Sequence, residues 1–174
     1  MRRSSMIIAA AFATLMLGSA VHAQQPALPT AAMPAPVAPP PYGPPITIAQ
    51  AKMVVAAAVA EAKKTPFLYT FSVVDPSGDL VYFEKMDSAP TSSNEIGIGK
   101  ARTAATFKRP SKAFFDQMES GHPYVGQLDP RIVASAGGIP LIIDGKIVGA
   151  IGVSGGANGL MDAVAAQAGV DALK

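Results

Sequence analysis

"AGGIPLIIDGKIVGAIGVSGG", from Ala136 to Gly156, is the stretch that decides the fold of this chain. Asp144-Gly145 lies between two apolar runs, and an Asp-Gly pair in that place predicts a β-hairpin closed by a type I′ turn. The expected strands are Ile139–Ile143 and Lys146–Val153. The stretch therefore predicts an antiparallel pair of strands in the last third of the chain.

Seven of the sixteen glycines of the chain lie in this stretch, which raises the alternative of a phosphate-binding loop. From Gly149 they are spaced G-x-x-G-x-x-G-G, whereas a dinucleotide-binding loop needs G-x-G-x-x-G after a parallel strand. We therefore interpret Gly149 and Gly152 as positions where another element packs closely against the strand. Ser154 to Gly156 precede a helix and are expected to offer, at most, backbone N–H groups at the edge of a ligand site.

Several further elements precede the stretch, beginning with a helix that Thr47 and Gln50 open as a capping box. A second hairpin follows, with "FLYTFSVV" and "LVYFEKM" as strands around the turn "DPSGD". Ser92 and Glu95 form a second possible capping box, which predicts a helix over about residues 94–108. Gly97 and Gly99 in its first turns predict close packing, and Ser111 is expected to cap a short helix after Pro110.

The remaining predicted elements are one strand and one helix. "RIVAS", from Arg131 to Ser135, is interpreted as a strand, and a last helix is expected over about residues 158–173, with Leu160, Val164 and Ala168 as its apolar positions. Helices at both ends and hairpins between them indicate an α+β fold. We predict a single domain in which helices flank one antiparallel sheet of about five strands.

Residues 1–45 are expected to lie outside this domain. Residues 1–23 combine two arginines, an apolar run and "SAVHA", the pattern of a secretory signal peptide, which predicts a periplasmic or extracellular protein. Nine of the sixteen prolines lie in residues 24–45, which we interpret as an extended proline-rich linker that cannot join a sheet. A ligand for a proline-recognition domain is the alternative for that linker. The folded domain is expected over residues 46–174.

Composition excludes several classes of function for the mature chain. Without Arg2 and Arg3 it has twelve basic and twelve acidic side chains, so net charge offers no support for nucleic-acid binding. The chain has no Cys, and His122 would be the single histidine after cleavage, which excludes thiolate- and histidine-rich zinc sites.

No motif supports a Ser-His-Asp triad, so an enzyme is the weaker hypothesis. An axial ligand to haem needs only one donor, such as His122, and the alternative for His122 is an exposed loop residue.

Basic side chains are concentrated on the second predicted helix and the turn after it. They are either a solvated face or a clamp for a carboxylate, since Lys and Arg donate charge-assisted hydrogen bonds to such groups. The cluster consists of Lys100, Arg102, Lys108, Arg109 and Lys112.

Together these motifs resemble the GlcG/HbpS-like haem-binding family, which also resembles the C-terminal domain of PduO-type proteins. The resemblance runs from about Ile46 to the C-terminus. It is carried by "VVDPSGDLVYFEKMDSAP", "GKARTAATFKRPS", the opening stretch and "DAVAAQAGVDAL". It implies a profilin-like α/β domain, haem as cofactor, and assembly into homo-oligomers.

The resemblance also implies roles for individual residues. Lys100, Arg102 and Arg109 would hold haem propionates, while Thr103, His122 and Tyr124 would lie near the iron or the pocket wall. Thr103 belongs to "KARTA", which is similar to the family's "KAxTA", and Ser111 stands where many relatives have Thr. The expected function is haem capture, storage or sensing, with a sensor or transport protein as a possible partner. The alternative is an accessory module that binds a small organic acid or a partner protein without haem.

Overall fold

The computed structural model describes residues 37–174. The predicted signal peptide and residues 24–36 of the predicted linker lie outside this range. Four α-helices, one short 3₁₀ helix and four strands follow one another in the described part. Their order is α1 (Ile48–Ala62), β1 (Thr70–Val74), β2 (Leu80–Lys85), α2 (Ser92–Thr106), α3 (Lys112–Glu119), the 3₁₀ helix (Pro123–Gln127), β3 (Gly138–Ile143), β4 (Lys146–Ser154) and α4 (Gly159–Asp171).

The strands form one antiparallel sheet in the order β2-β1-β4-β3. Both predicted hairpins are confirmed. Asp144 and Gly145 have φ values of 50° and 71°, as the type I′ turn between β3 and β4 requires. Among residues 37–174, no helix has the length and hydropathy needed to cross a lipid bilayer.

The sheet has four strands rather than about five, because "RIVAS" is not a strand. The backbone N–H of Val133 donates instead to the Thr103 hydroxyl at 2.9 Å. The backbone N–H of Arg131 donates to the Asp129 carboxylate at 2.8 Å. Since side chains accept both of these N–H groups, neither is available for a strand ladder, and the segment lies as a loop against α2.

The two faces of the sheet bury different kinds of side chain. Large apolar groups, including those of Phe71, Val73, Ile151 and Val153, form a core with α1 and α4. The opposite face carries small residues, and α2 lies directly on it. A Cβ on Gly152 would stand 2.0 Å from the Gly97 carbonyl oxygen, and one on Gly138 would stand 2.1 Å from that of Lys100. The expectation that these glycines serve close packing is confirmed.

The helix starts agree with the sequence only in part. Thr47 and Gln50 form the predicted capping box at α1. Thr91, rather than Ser92, is the residue before α2, and it makes no capping hydrogen bond. Ser111 precedes α3 without capping it, because its hydroxyl donates to the Ser135 carbonyl at 2.5 Å and accepts from the Gly138 N–H at 2.9 Å.

The end of the proline-rich segment is bound to the domain, which corrects the prediction that residues 24–45 cannot join a sheet. Gly43 N–H donates to the Ile147 carbonyl and Ile147 N–H donates to the Pro41 carbonyl, so this short stretch pairs in parallel with β4. The Tyr42 hydroxyl donates to the Ala105 and Thr106 carbonyls at 3.0 Å each, at the end of α2. Burial raises the pKa of Tyr42, which favours the protonated donor.

Replacing Tyr42 by phenylalanine tests this attachment. Tyr42→Phe leaves two carbonyls at the end of α2 without their donor, and we expect a loss of about 1 kcal/mol in the free energy of unfolding. The ring itself stays, so the contact of Lys108 with it, 4.1 Å from ammonium to ring centroid, is retained. Urea denaturation measures the loss. Tyr124→Phe, at a side chain that is 60% exposed, is the control, and equal losses in both variants would contradict the attachment.

Candidate functional site

Lys100, predicted to hold a propionate, lies in a buried ion pair. Its Nζ stands 2.6 Å from Asp162 Oδ2, and the two side chains are only 2% and 5% exposed. The same ammonium donates to the Val153 carbonyl at 3.2 Å. In the described chain, Lys100 therefore connects α2 with the first turn of α4 and does not face solvent. Asp162 was missed by the sequence analysis, although it is the single acidic side chain in the first turn of a mostly apolar helix.

Thr103, predicted near the iron, is also buried inside the domain. Its hydroxyl donates to the Gly99 carbonyl at 2.8 Å and accepts from the Val133 N–H. The bond to Gly99 lies within α2, and the bond from Val133 attaches the loop of residues 129–135 to this helix. The contacts of Thr103 therefore account for the position of the loop, and they do not describe a pocket wall.

Arg102 is partly buried next to Thr103 on α2, and its Nε donates to the Gly78 carbonyl at 3.1 Å. It shares a narrow crevice with Asp129 and Arg131, and that crevice contains no space for a water molecule. Arg131 donates to the Asp129 carboxylate through its side chain and its backbone N–H, which lowers the pKa of Asp129 to about 2. The arrangement organises a surface loop and leaves no room for a ligand.

The low pKa of Asp129 leads to a prediction about how its contribution to stability depends on pH. Because its pKa is lower in the folded chain than the ordinary value of 3.8, the stabilising contribution of Asp129 is present above that value. It is lost as pH falls towards about 2. We expect Arg131→Gln to raise the pKa of Asp129 towards 3.8, as measured by NMR titration of the carboxyl carbon. Arg102→Gln is the control and should cause a smaller rise, because Arg102 acts only through space. A value of about 2 in the Arg131 variant would contradict the assignment.

Arg109 is held on an aromatic surface between α2 and α3. Its guanidinium carbon lies 4.2 Å from the centroid of the Phe114 ring, which meets Phe107 edge-on at 4.9 Å. Arg109 Nε is buried and has no hydrogen-bond partner among the described residues. A fixed guanidinium with an unused buried donor is suited to a carboxylate. Arg109, predicted as a propionate partner, is thus a cation held on an aromatic surface with one buried donor unused among the described residues.

His122 and Tyr124 lie together on the surface after α3. Their rings are 6.1 Å apart, and His122 Nδ1 lies 3.3 Å from the Ser120 hydroxyl. Both side chains are exposed. Among residues 37–174, no three His, Cys, Asp or Glu side chains are grouped as metal ligands.

A mostly apolar cleft of about 430 Å³ lies between α3, the loop before β3 and the start of α4, and Lys112 of the predicted basic cluster lines it. We call it the α3–α4 cleft. Its volume is within the range of small-molecule sites. Phe115 and Leu160, which are 44% and 60% exposed, form apolar parts of its wall. The lining residues are Lys112, Phe115, Ser135, Ala136, Asn158, Gly159 and Leu160.

The sequence did contain a signal for this cleft. Phe114 and Phe115 are adjacent on a short helix, which turns about 100° per residue, so they point in different directions. Phe114 is fully buried, and its neighbour is therefore left at the surface. Likewise Leu160 and Val164, expected as apolar positions of α4, are 60% and 59% exposed, whereas Ala165 and Ala166 face the core.

A second opening of about 460 Å³ lies at the end of α1 and is less suited to an apolar ligand. Charged side chains of both signs line it, namely those of Lys63, Glu84, Lys85 and Asp87. The six predicted site residues line neither opening. Arg102 and Thr103, which are consecutive on α2, share the narrow crevice beside the loop of residues 129–135, and His122 and Tyr124 lie close together.

Comparisons with known proteins agree with this fold. The family model described as "Haem degrading protein HbpS-like" matches residues 46–171. An uncharacterized 15.0 kDa protein of Citrobacter freundii, from the dhaT-dhaS intergenic region, is 39% identical over 114 residues, which cover 64% of this chain and 80% of that protein. Protein GlcG of Escherichia coli (strain K12) is 33% identical over 104 residues, which cover 60% of this chain and 77% of GlcG.

A solved structure with the same fold contains haem. The crystal structure of a PduOC–haem complex superposes with a TM-score of 0.69 at 26% sequence identity. The superposition covers 75% of this chain and 96% of that one. The similarity therefore extends over nearly the whole of the haem-bound domain.

Proposed function

The chain belongs to the HbpS-like family, and from that premise we propose that it is a haem-binding protein that captures, stores or senses haem. The observation that carries the proposal is the α3–α4 cleft. Its walls are mostly apolar and its rim carries a cation, which suits a flat apolar ligand with carboxylate groups. The haem-bound PduOC structure, at 26% identity, supports the same ligand class.

The residues of the cleft fit the porphyrin and its carboxylates better than they fit the iron. Phe115 and Leu160 offer apolar surface, and Lys112, now 2.6 Å from Asp116 on an exposed face, can exchange that partner for a propionate. The lining side chains include no histidine, tyrosine or methionine. We propose that Arg109 is the second propionate donor. We further propose that His122 or Tyr124, from this chain or a second copy, is the axial ligand.

Hemin titration of residues 37–174 tests the proposal. We expect a saturable change in the Soret band, and its absence would overturn haem binding. Leu160→Ser should weaken binding, whereas Ile142→Ser, at an exposed apolar residue of β3 outside the cleft, should not. An unchanged spectrum in His122→Ala would remove His122 as the axial ligand. Slow loss of the bound Soret band under a reductant and oxygen would add haem degradation, the activity that the family description names.

The alternative ligand is a small organic acid, which the unpaired Nε of Arg109 favours. Titration calorimetry with succinate as a probe separates the two proposals. Saturable binding of succinate without a hemin response, abolished in Arg109→Gln and retained in Arg131→Gln, would establish the alternative. Binding of hemin alone would exclude it.

We also propose that the protein is a homo-oligomer. Leu160 and Val164 lie one turn apart on α4 and are both mostly exposed, so the helix has an apolar face without a partner in the described chain. A second copy is the occupant that the family resemblance implies. Sedimentation should show an assembly that Val164→Glu dissociates and Met53→Glu, on exposed α1 surface, leaves intact. A monomeric native protein would overturn this proposal.

Export is the last part of the proposal and rests on residues 1–23 alone, outside the described range. Cell fractionation of the tagged full chain should find it in the periplasm or the medium, with a new N-terminus after Ala23. Full-length protein in the cytoplasmic fraction would overturn it.

A further inference from the structure

We propose that the buried ion pair of Lys100 and Asp162 is a positioning device that sets the distance between the two walls of the α3–α4 cleft. The expected effect on ligand binding rests on the proposed function. The effect on the order of the two walls rests only on contacts within the described chain. Neither residue lines the cleft, so both act through the segments they hold.

The first wall is the start of α4, with Asn158, Gly159 and Leu160. Asp162 follows these residues within the first turn. Its Oδ1 accepts from the Gly156 N–H at 2.8 Å, while its Oδ2 faces Lys100 Nζ at 2.6 Å. The carboxylate therefore closes a loop from Gly156 to Asp162 that contains all three wall residues. Lys100 belongs to α2, on the opposite face of the sheet from α4. The ion pair therefore holds this loop against α2.

The second wall is the loop of residues 135–138, which lies directly against the same ion pair. A Cβ on Gly137 would stand 2.8 Å from Asp162 Cβ and 3.2 Å from Lys100 Nζ, so there is no room for a side chain between this glycine and the ion pair. Val153 joins the two contacts, because its carbonyl accepts from Lys100 Nζ and its N–H donates to the Gly137 carbonyl. The two cleft walls thus share one charged support.

A buried ion pair is a poor source of stability, because the cost of removing both charges from water offsets most of their attraction. Apolar residues of similar volume often replace such a pair without loss of stability. What they lack is the directional bonding that holds Gly156 and Val153 at fixed places. The pair is therefore suited to defining geometry, which is the role we assign to it.

The experiment uses the double variant Lys100→Met with Asp162→Leu. We expect its melting temperature to stay within about 4 °C of the native value, since the volume is nearly kept. Amide hydrogen exchange should become faster in residues 135–138 and 156–161, and remain unchanged in β1. Hemin affinity should fall about tenfold or more, as when a supporting group behind a binding site is lost. The control is Glu61→Gln with Lys64→Gln, a pair at the end of α1 whose side chains are 30% and 68% exposed, which should change none of the three measurements.

The outcomes separate this inference from the proposed function. If the folded double variant keeps native exchange at both walls and native hemin affinity, the positioning role is overturned. If native protein shows no saturable Soret change, the proposed function fails, and hydrogen exchange without ligand still decides the order of the walls. Should the double variant not fold, Asp162→Asn retains the side-chain size and an acceptor for Gly156. Native exchange and affinity in that folded variant would equally overturn the role.

Discussion

Gly152→Ala is expected to lower the free energy of unfolding by about 3 kcal/mol or more, near the upper end of overpacking effects. The added Cβ would stand 2.0 Å from the Gly97 carbonyl oxygen and 2.6 Å from the Ala101 N–H nitrogen. Both are backbone atoms of α2, so no side chain can rotate away. The helix would have to move off the sheet, and with it the buried contacts of Ala101 and Ala104.

Urea denaturation followed by circular dichroism measures this loss. Gly126→Ala is the matched control, because its nearest neighbour would be the flexible Met118 side chain at 3.3 Å. We expect Gly126→Ala to lower the free energy of unfolding by less than about 1 kcal/mol, since substitutions outside the core usually change it by about 0.5 kcal/mol. Similar losses at the two positions would show that α2 does not pack as tightly as the structure indicates.

Asp162→Leu alone is expected to lower the free energy of unfolding by roughly 3–5 kcal/mol, because it leaves the buried Lys100 ammonium without its carboxylate. The Gly156 N–H loses its acceptor at the same time. Adding Lys100→Met removes the unpaired charge, so the double variant should recover most of the lost stability. The two substitutions are therefore expected to be strongly non-additive.

A double-mutant cycle by chemical denaturation gives the coupling energy between the two residues. The exposed pair of Lys174 and Asp171, whose side chains are 72% and 52% exposed, provides the comparison cycle and should show about 1 kcal/mol or less. If the losses from Asp162→Leu and Lys100→Met simply added, each residue would act alone and the buried pair would not exist in solution.

The parts of the fold that the sequence predicted depend on short-range rules. The Asp144-Gly145 turn needs two residues with positive φ, and the capping box at Thr47 needs partners three residues apart. Both requirements are met within a few residues of chain. The composition of the runs on either side of each turn likewise predicted β1, β2, β3 and β4, because β-branched and aromatic residues favour strands.

The site was predicted less well, because a residue type does not state its partner. Lys100 belongs to a basic cluster in the sequence, yet its carboxylate partner is sixty-two positions away. The "RIVAS" segment has strand composition, but the Thr103 hydroxyl thirty positions earlier accepts the N–H of Val133. Leu160 is an apolar residue of the kind usually found in a core, but it is exposed because of where α4 meets the sheet.

By itself, the sequence determined the two hairpins, the α+β class, the family, and the need for small residues where α2 meets the sheet. Turn conformation, strand composition and capping depend on neighbours along the chain, so they can be derived from it directly. Only the tertiary structure decided that Lys100 and Thr103 are internal supports and that Arg109 keeps a free buried donor. It alone revealed the cleft between α3 and α4. Burial and pairing depend on which distant segments meet, and that is determined by the packing of the whole domain.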